Sequence, residues 1–156
     1  RLLPSLLVSW AARRLARQHG VNEDTAATAA LLHDCAKCMP LSGMQQIAKD
    51  HRLLIDKITI QNGNLLHGPV GAVVAERDYG ITDPNVLAAI RCHTTGRVGM
   101  LPLDMALFLA DKIGFYDIYE LVKGAVDTVP YIANPTLEEI LESDGLARNF
   151  VAAKRC

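Results

Sequence analysis

Apolar residues recur along this chain at spacings of three and four, broken repeatedly by glycine, proline and capping residues. That rhythm predicts a succession of helices. A first helix is expected to run to about Gln18 and to stop at Gly20, a residue suited to the position after a helix end. Asn22 can cap a second, continuing through TAATAALLHDCAK until Pro40. Ser42 is expected to cap a short third helix, GMQQIAKDH. The stretch RLLIDKITIQNGN, with its β-branched residues and Asn-Gly-Asn ending, reads as an irregular loop. A fourth helix covers roughly 67–79 and is closed by Gly80. Asp83-Pro84 pairs a cap with proline at the first helical position. It starts a fifth helix that reaches His93, where TTGRVG breaks it. Pro102 opens a sixth, through Asp111 to about Ile113, and a further helix is expected near 119–126. Thr136 followed by Glu139 fits a capping box for a terminal helix. With no repeat, low-complexity tract or linker, the chain reads as one all-α helical bundle over 1–156. Its core lies at about 1–113 and its C-terminal helices at about 114–156.

Composition sharpens this picture. Half of the 156 residues are apolar but only 5% are aromatic, so the core must be aliphatic, which suits packed helices. The formal net charge of −1 gives no electrostatic reason to expect a nucleic-acid or membrane partner. No apolar run approaches the roughly 18 residues of a membrane span. RLLPSLLVSW is apolar with a leading Arg, but it lacks a small-residue cleavage-like ending and flows into AARRLARQHG, so it is expected to be mature structure. Cys35, Cys38, Cys92 and Cys156 suit reduced thiols better than a disulfide frame, which points to the cytoplasm. The C-x-x-C at Cys35–Cys38 has no second half and no βαβ context, so incidental thiols are expected.

The chemistry concentrates in LLHDCAKCMP. His33 and Asp34 set an imidazole beside a carboxylate, a pairing suited to iron, manganese or zinc. The carboxylate can bridge two ions. Lys37, four residues after His33, is expected on the same helix face, where a cation can hold a phosphate oxygen. A buried, hydrogen-bonded helix end would account for His33-Asp34 taken alone. His67 in LLHGPVGA, His93 in IRCHTTGR and Asp111 in LFLADKI shift the balance, because Asp111 follows a continuous apolar run in which an unpaired carboxylate is costly. His19 and His51 are expected at the surface. Arg13, Arg14 and Arg17 are expected as a solvated basic stripe, and Met39 and Met44 as packing residues. Gly68 and Gly71 permit either close helix packing or approach of a phosphate.

The order HD-x-x-K, HGPVGA, HTTGR and LADKI resembles the HD-domain diadenosine tetraphosphatases of the YqeK type, over roughly 1–113. The resemblance implies a helical HD domain with two divalent metal ions, iron first, with manganese, cobalt or zinc as alternatives. It implies a nucleotide substrate, diadenosine tetraphosphate cleaved to two ADP. It matches His33, Asp34 and Asp111 to one metal, with Asp34 bridging to a second that His67 and His93 complete. Lys37 matches a phosphate-contacting lysine, so Asp34 and Lys37 are the expected catalytic pair. Thr94, Thr95, Gly96 and Arg97 match the loop beside the substrate, where Arg97 can fork across phosphate oxygens. Water activated by the metals would attack phosphorus in line, with Lys37 and Arg97 spreading the developing charge. The assembly is left open, a homodimer included.

Two departures stand out. Members of that family begin this region with Arg-x-x-His, whose His is a ligand of the first metal, whereas this chain reads Arg1-Leu2-Leu3-Pro4. After the last Asp the family continues with Glu-Pro and a nearby Arg, replaced here by Gly114-Phe115-Tyr116-Asp117. A weakened domain that binds nucleotide or serves as a scaffold is therefore the alternative expectation.

Overall fold

Alanine sets how closely these helices approach. The computed structural model describes residues 2–130, 132 and 136–154, with side chains at 5–112, 124, 127–130, 132, 136–147 and 149. Its helices are α1 (Leu2–Gln18), α2 (Glu23–Leu32), α3 (Leu41–Asp50), α4 (Gly63–Tyr79), α5 (Pro84–Cys92), α6 (Pro102–Thr128) and α7 (Leu137–Lys154). One 3₁₀ turn, Thr59–Gln61, interrupts the loop before α4. No strand occurs among the described residues, and none of their helices is long and apolar enough to cross a membrane. The fold is all-α.

The chain divides into two compact units, 1–114 and 115–156. In the first, Ala12, Ala16, Ala26, Ala29 and Ala30 let α1 and α2 lie close together. Arg13 bonds Asp24 at 2.9 Å, and Arg17 takes both oxygens of Glu23, so the expected solvated stripe is partly spent tying α1 to the start of α2. Arg14 lies over the Trp10 ring. The central helix is α4, whose buried run from Leu66 to Ala75 serves two cores. Ala72 and Ala75 face the alanine-rich core, while Leu66, Val70 and Val74 pack with Met44 and Ala48 of α3. In the second unit, Thr136 and Glu139 form the expected capping box at the start of α7.

Several helix boundaries differ from expectation. The second helix ends at Leu32 rather than Pro40, and 33–38 continues as tight turns bonded from residue i+3 to i. α3 starts at Leu41 with Pro40 at its cap, so Ser42 falls inside it; the fixed proline φ, here −63°, already sets the entry. α4 begins a turn early, at Gly63, because Asn62 accepts from the Asn64 N–H. α6 runs unbroken through both segments expected as separate helices. Gly114 lies between those segments and Gly124 within the second, and each interior glycine costs only about 1 kcal/mol. Gly20 and Gly80 close α1 and α4 at φ of 69° and 68°, in line with their place in the sequence.

Candidate metal centre

Each of the three histidines at the centre of the first unit directs one ring nitrogen at a backbone carbonyl. His33 Nδ1 lies 2.6 Å from Ala30 O, His93 Nδ1 2.7 Å from Ile90 O, and His67 Nδ1 3.3 Å from Gly63 O. A carbonyl can only accept, so Nδ1 carries the proton, and Nε2 of the neutral ring is left with a lone pair. Those three Nε2 atoms face inward. His67 Nε2 and His93 Nε2 are 3.0 Å apart, and both approach Asp34 Oδ1, at 3.1 and 3.7 Å. His33 Nε2 lies 3.6 Å from Asp34 Oδ2 and 3.6 Å from Asp111 Oδ1. All five residues singled out from the sequence therefore meet in one cluster. His33, Asp34 and His93 by themselves bring ligand atoms within 4.8 Å of one another.

Local backbone explains the meeting. His33 and His93 are each the residue at which a helix stops, α2 and α5 respectively. Gly68 settles, for its own position, an alternative that the sequence leaves open. A Cβ at Gly68 would lie 3.0 Å from Arg91 O and 3.2 Å from Thr94 Oγ1, and one at Gly71 would lie 3.5 Å from His33 O. Gly68 thus serves close packing, which draws His67 against His93, whereas a Cβ at Gly71 would meet only ordinary van der Waals contacts. Pro69 lacks an N–H for the carbonyl four residues back, Leu65 O, and Thr94 Oγ1 donates to that oxygen instead at 3.4 Å.

The electrostatics favour a cation. Burial opposes ionisation of Asp34, but donation from His67 and His93, when their Nε2 atoms are protonated, and from Lys37 outweighs it and holds the carboxyl well below the usual range. Asp111 is likewise held low, with His33 and Lys112 overcoming the cost of burial. Burial works against charge on His33, yet Asp111 and Asp34 raise its pKa overall. Asp34 Oδ1 is buried without a hydrogen-bond partner. Two ionised carboxylates and three inward lone pairs, one pair of nitrogens 3.0 Å apart, form a donor set that a divalent cation satisfies and protons alone satisfy poorly.

Other expected residues fall differently. Lys37 Nζ bonds Asp34 Oδ2 at 2.7 Å rather than sharing a face with His33. Winding with three residues per turn eclipses positions 34 and 37. Thr94 is held by Leu65, and Thr95 bonds Gly96 O. Arg97 spends Nε and Nη2 on Asp104 Oδ2, at 2.8 and 2.6 Å. Asp104, 1% exposed, is the site-region residue that sequence reasoning missed. It also accepts from Leu101 N, and an acid three residues after a helix cap was the available signal. Burial, then neighbouring Asp34, pushes the Cys35 thiol up to about 11, and Cys92 is raised by burial and by Asp104. His19 and His51 are exposed, as expected. Pro4 and Phe115–Asp117, the family departures, and Cys156 lie outside the described side chains.

The HD-domain family profile matches residues 2–115, the span that holds the whole cluster. This chain belongs to the HD-domain family. The HD domain here is 34% identical over 90% of the chain to a Staphylococcus aureus protein named symmetrical bis(5'-nucleosyl)-tetraphosphatase, of which it covers 77%. A Bacillus subtilis protein of the same name is 37% identical over 72% of the chain, with 60% of its own length covered. A solved structure from Clostridium acetobutylicum, described as a predicted HD superfamily hydrolase involved in NAD metabolism, superposes with a TM-score of 0.69. It is 27% identical, and the match covers 99% of this chain and 89% of that one.

Proposed function

We propose that this HD domain is a phosphohydrolase that cleaves a dinucleoside polyphosphate, diadenosine tetraphosphate to two ADP, with two divalent ions held by His33, Asp34, His67, His93 and Asp111. The observation that carries it is the way the two oxygens of Asp34 divide the cluster. Oδ1 faces His67 and His93, while Oδ2 faces His33 and Lys37, with Asp111 beyond His33. A carboxylate so shared is suited to bridging two cations. The imidazole and carboxylate donors suit iron, and manganese, cobalt or zinc also fit. Such ions supply Lewis acidity, lowering the pKa of water and polarising phosphoryl oxygens. The chain's own residues do the rest. The backbone carbonyls lock the imidazole tautomers, and the low pKa of Asp34 keeps its charge at neutral pH. Lys37, about half exposed, can turn from Asp34 to a phosphate oxygen. Thr95, Gly96 and Arg97 contact substrate beyond the metals, and Thr94 steadies their loop. The names of the relatives support the substrate, and the reduced Cys35 and Cys92 support a cytoplasmic setting.

The test is to supply the protein with iron, manganese or cobalt, add diadenosine tetraphosphate and follow the nucleotides. ADP as the product is expected; its absence with all three metals would remove the catalytic reading. Pro4, where the family has a metal-ligand histidine, motivates a second reading: a weakened domain that binds nucleotide without turnover. That reading expects at most one tightly held ion per chain, and Pro4→His should then raise the metal content. Two ions already present in the unaltered chain would exclude it.

A further inference from the structure

A cleft of about 530 Å3 opens beside the 94–97 loop, and none of the five metal-site residues lines it. Its volume falls within the usual range of small-ligand sites. Leu65 and Pro69 line it from α4. His67 lies midway between them in sequence and hence about half a helical turn from both, so the cleft meets the side of α4 opposite His67. Ala88 and Arg91 line it from α5, and Arg52 from the bend after α3. It is therefore a second concavity of the same unit, joined to the metal centre through the loop that follows His93.

The cleft is cationic for a reason that can be traced. The guanidiniums of Arg52 and Arg91 make no ion pair or hydrogen bond among the described residues. The single acid in the lining, Asp56, is committed elsewhere. Its Oδ1 accepts from Ile58 N and Thr59 N, and its Oδ2 accepts from Thr59 Oγ1. Arg97 also lines the cleft, but its guanidinium is fixed by Asp104. Arg52 is also the single non-glycine residue with positive φ among those described, at 50°. It occupies the position after the C-cap of α3, with Leu53 N bonded to Ala48 O, where glycine is the usual choice. A long cationic side chain thus lines the cleft from a backbone conformation that such residues seldom adopt. Alongside the arginines, Leu53, Leu65, Pro69 and Ala88 give the cleft an apolar floor.

We propose that this cleft binds a nucleoside phosphate, with the anion between Arg52 and Arg91 and the base on the apolar floor. The ligand is either the far half of the dinucleotide substrate or a separate mononucleotide, and only the first source rests on the hydrolase reading above. The full chain would be titrated with ADP by calorimetry, as purified and again with EDTA, which removes the metal contribution. ADP is expected to bind in both conditions, more tightly than adenosine or inorganic phosphate. The double variant Arg52→Ala/Arg91→Ala is expected to lose at least tenfold in ADP affinity in EDTA, with an unchanged Tm as the check on folding. Arg52→Lys/Arg91→Lys should recover part of that loss. Unaltered ADP affinity in the alanine variant, or no ADP binding in EDTA, overturns the proposal. Hydrolysis assigns the source. A raised KM with kcat retained in the alanine variant marks the far half of the substrate, and an unchanged KM alongside lost ADP binding marks a separate nucleotide. Absence of hydrolysis with ADP binding intact would sink the catalytic reading and leave the cleft standing.

Discussion

At the scale of single residues, the centre depends on where protons reside. Three carbonyls hold the Nδ1 protons, so each histidine offers the cluster a lone pair rather than a hydrogen. Asp34 touches every other group except Asp111, so its loss should be the most severe. Outer-shell partners of metal ligands typically cost 10–100-fold when removed, so Asp34→Ala is expected to cost at least about 100-fold in hydrolysis. Elemental analysis should find its metal content reduced in parallel; a fully metallated, fully active variant would refute the bridging role. The thiols give a second prediction. Burial pushes the Cys35 thiol up to about 11, so at pH 8 it should be alkylated far more slowly than the exposed Cys38, as read by mass spectrometry of labelled peptides. Comparable rates would contradict the burial assigned to Cys35.

At the scale of elements, the helices matter through how they start, stop and touch. Asp83 accepts from Asn85 N and anchors α5, whose end delivers His93. Asp83→Ala should destabilise the fold by about 1 kcal/mol, visible as a lowered denaturant midpoint with an unchanged slope. The α4–α5 contact is less forgiving. A methyl group at Gly68 would meet the Arg91 carbonyl at 3.0 Å, and backbone cannot swing aside as a side chain can. Gly68→Ala should therefore cost about 1–3 kcal/mol and also lower metal content, because the helices it separates carry His67 and His93. A stability loss with metal binding intact would show that the packing and the site are independent. Within the same contact, Pro69 and Thr94 act together: the proline frees a carbonyl, and the threonine satisfies it.

At the scale of the whole molecule, the clustered charges tie stability to pH. In chelated protein the folded pKa of His33 is raised, so its stabilising contribution is complete below the ordinary imidazole value and is lost as pH rises through the folded value. Asp34 and Asp111 have lowered folded values, so theirs is present above about pH 4 and is lost as pH falls further, towards those values. Thermal unfolding in EDTA should accordingly show a higher Tm at pH 6 than at pH 8, with the slope flattened by His33→Gln. An equal or rising Tm across that interval would mean that His33 is not held between the two carboxylates.

Much of this was legible in the residue order. Asn22, Gly20, Gly80, Asp83-Pro84 and the Thr136–Glu139 box act through hydrogen bonds and backbone preferences spanning a few residues, and these are local properties that a chain carries wherever it folds. The five residues of the cluster could also be singled out, because imidazoles and carboxylates at helix ends or in apolar runs are hard to explain singly. What only tertiary structure decided was their convergence. His67 and His93 stand 26 residues apart, and their ring nitrogens meet because Gly68 admits the end of α5 at backbone distance. The same holds for Lys37, which pairs with Asp34 because 33–38 winds more tightly than a helix, and for Arg97, which is directed onto buried Asp104. A side chain's partner across space depends on the packing of whole helices, and no short window of sequence contains it.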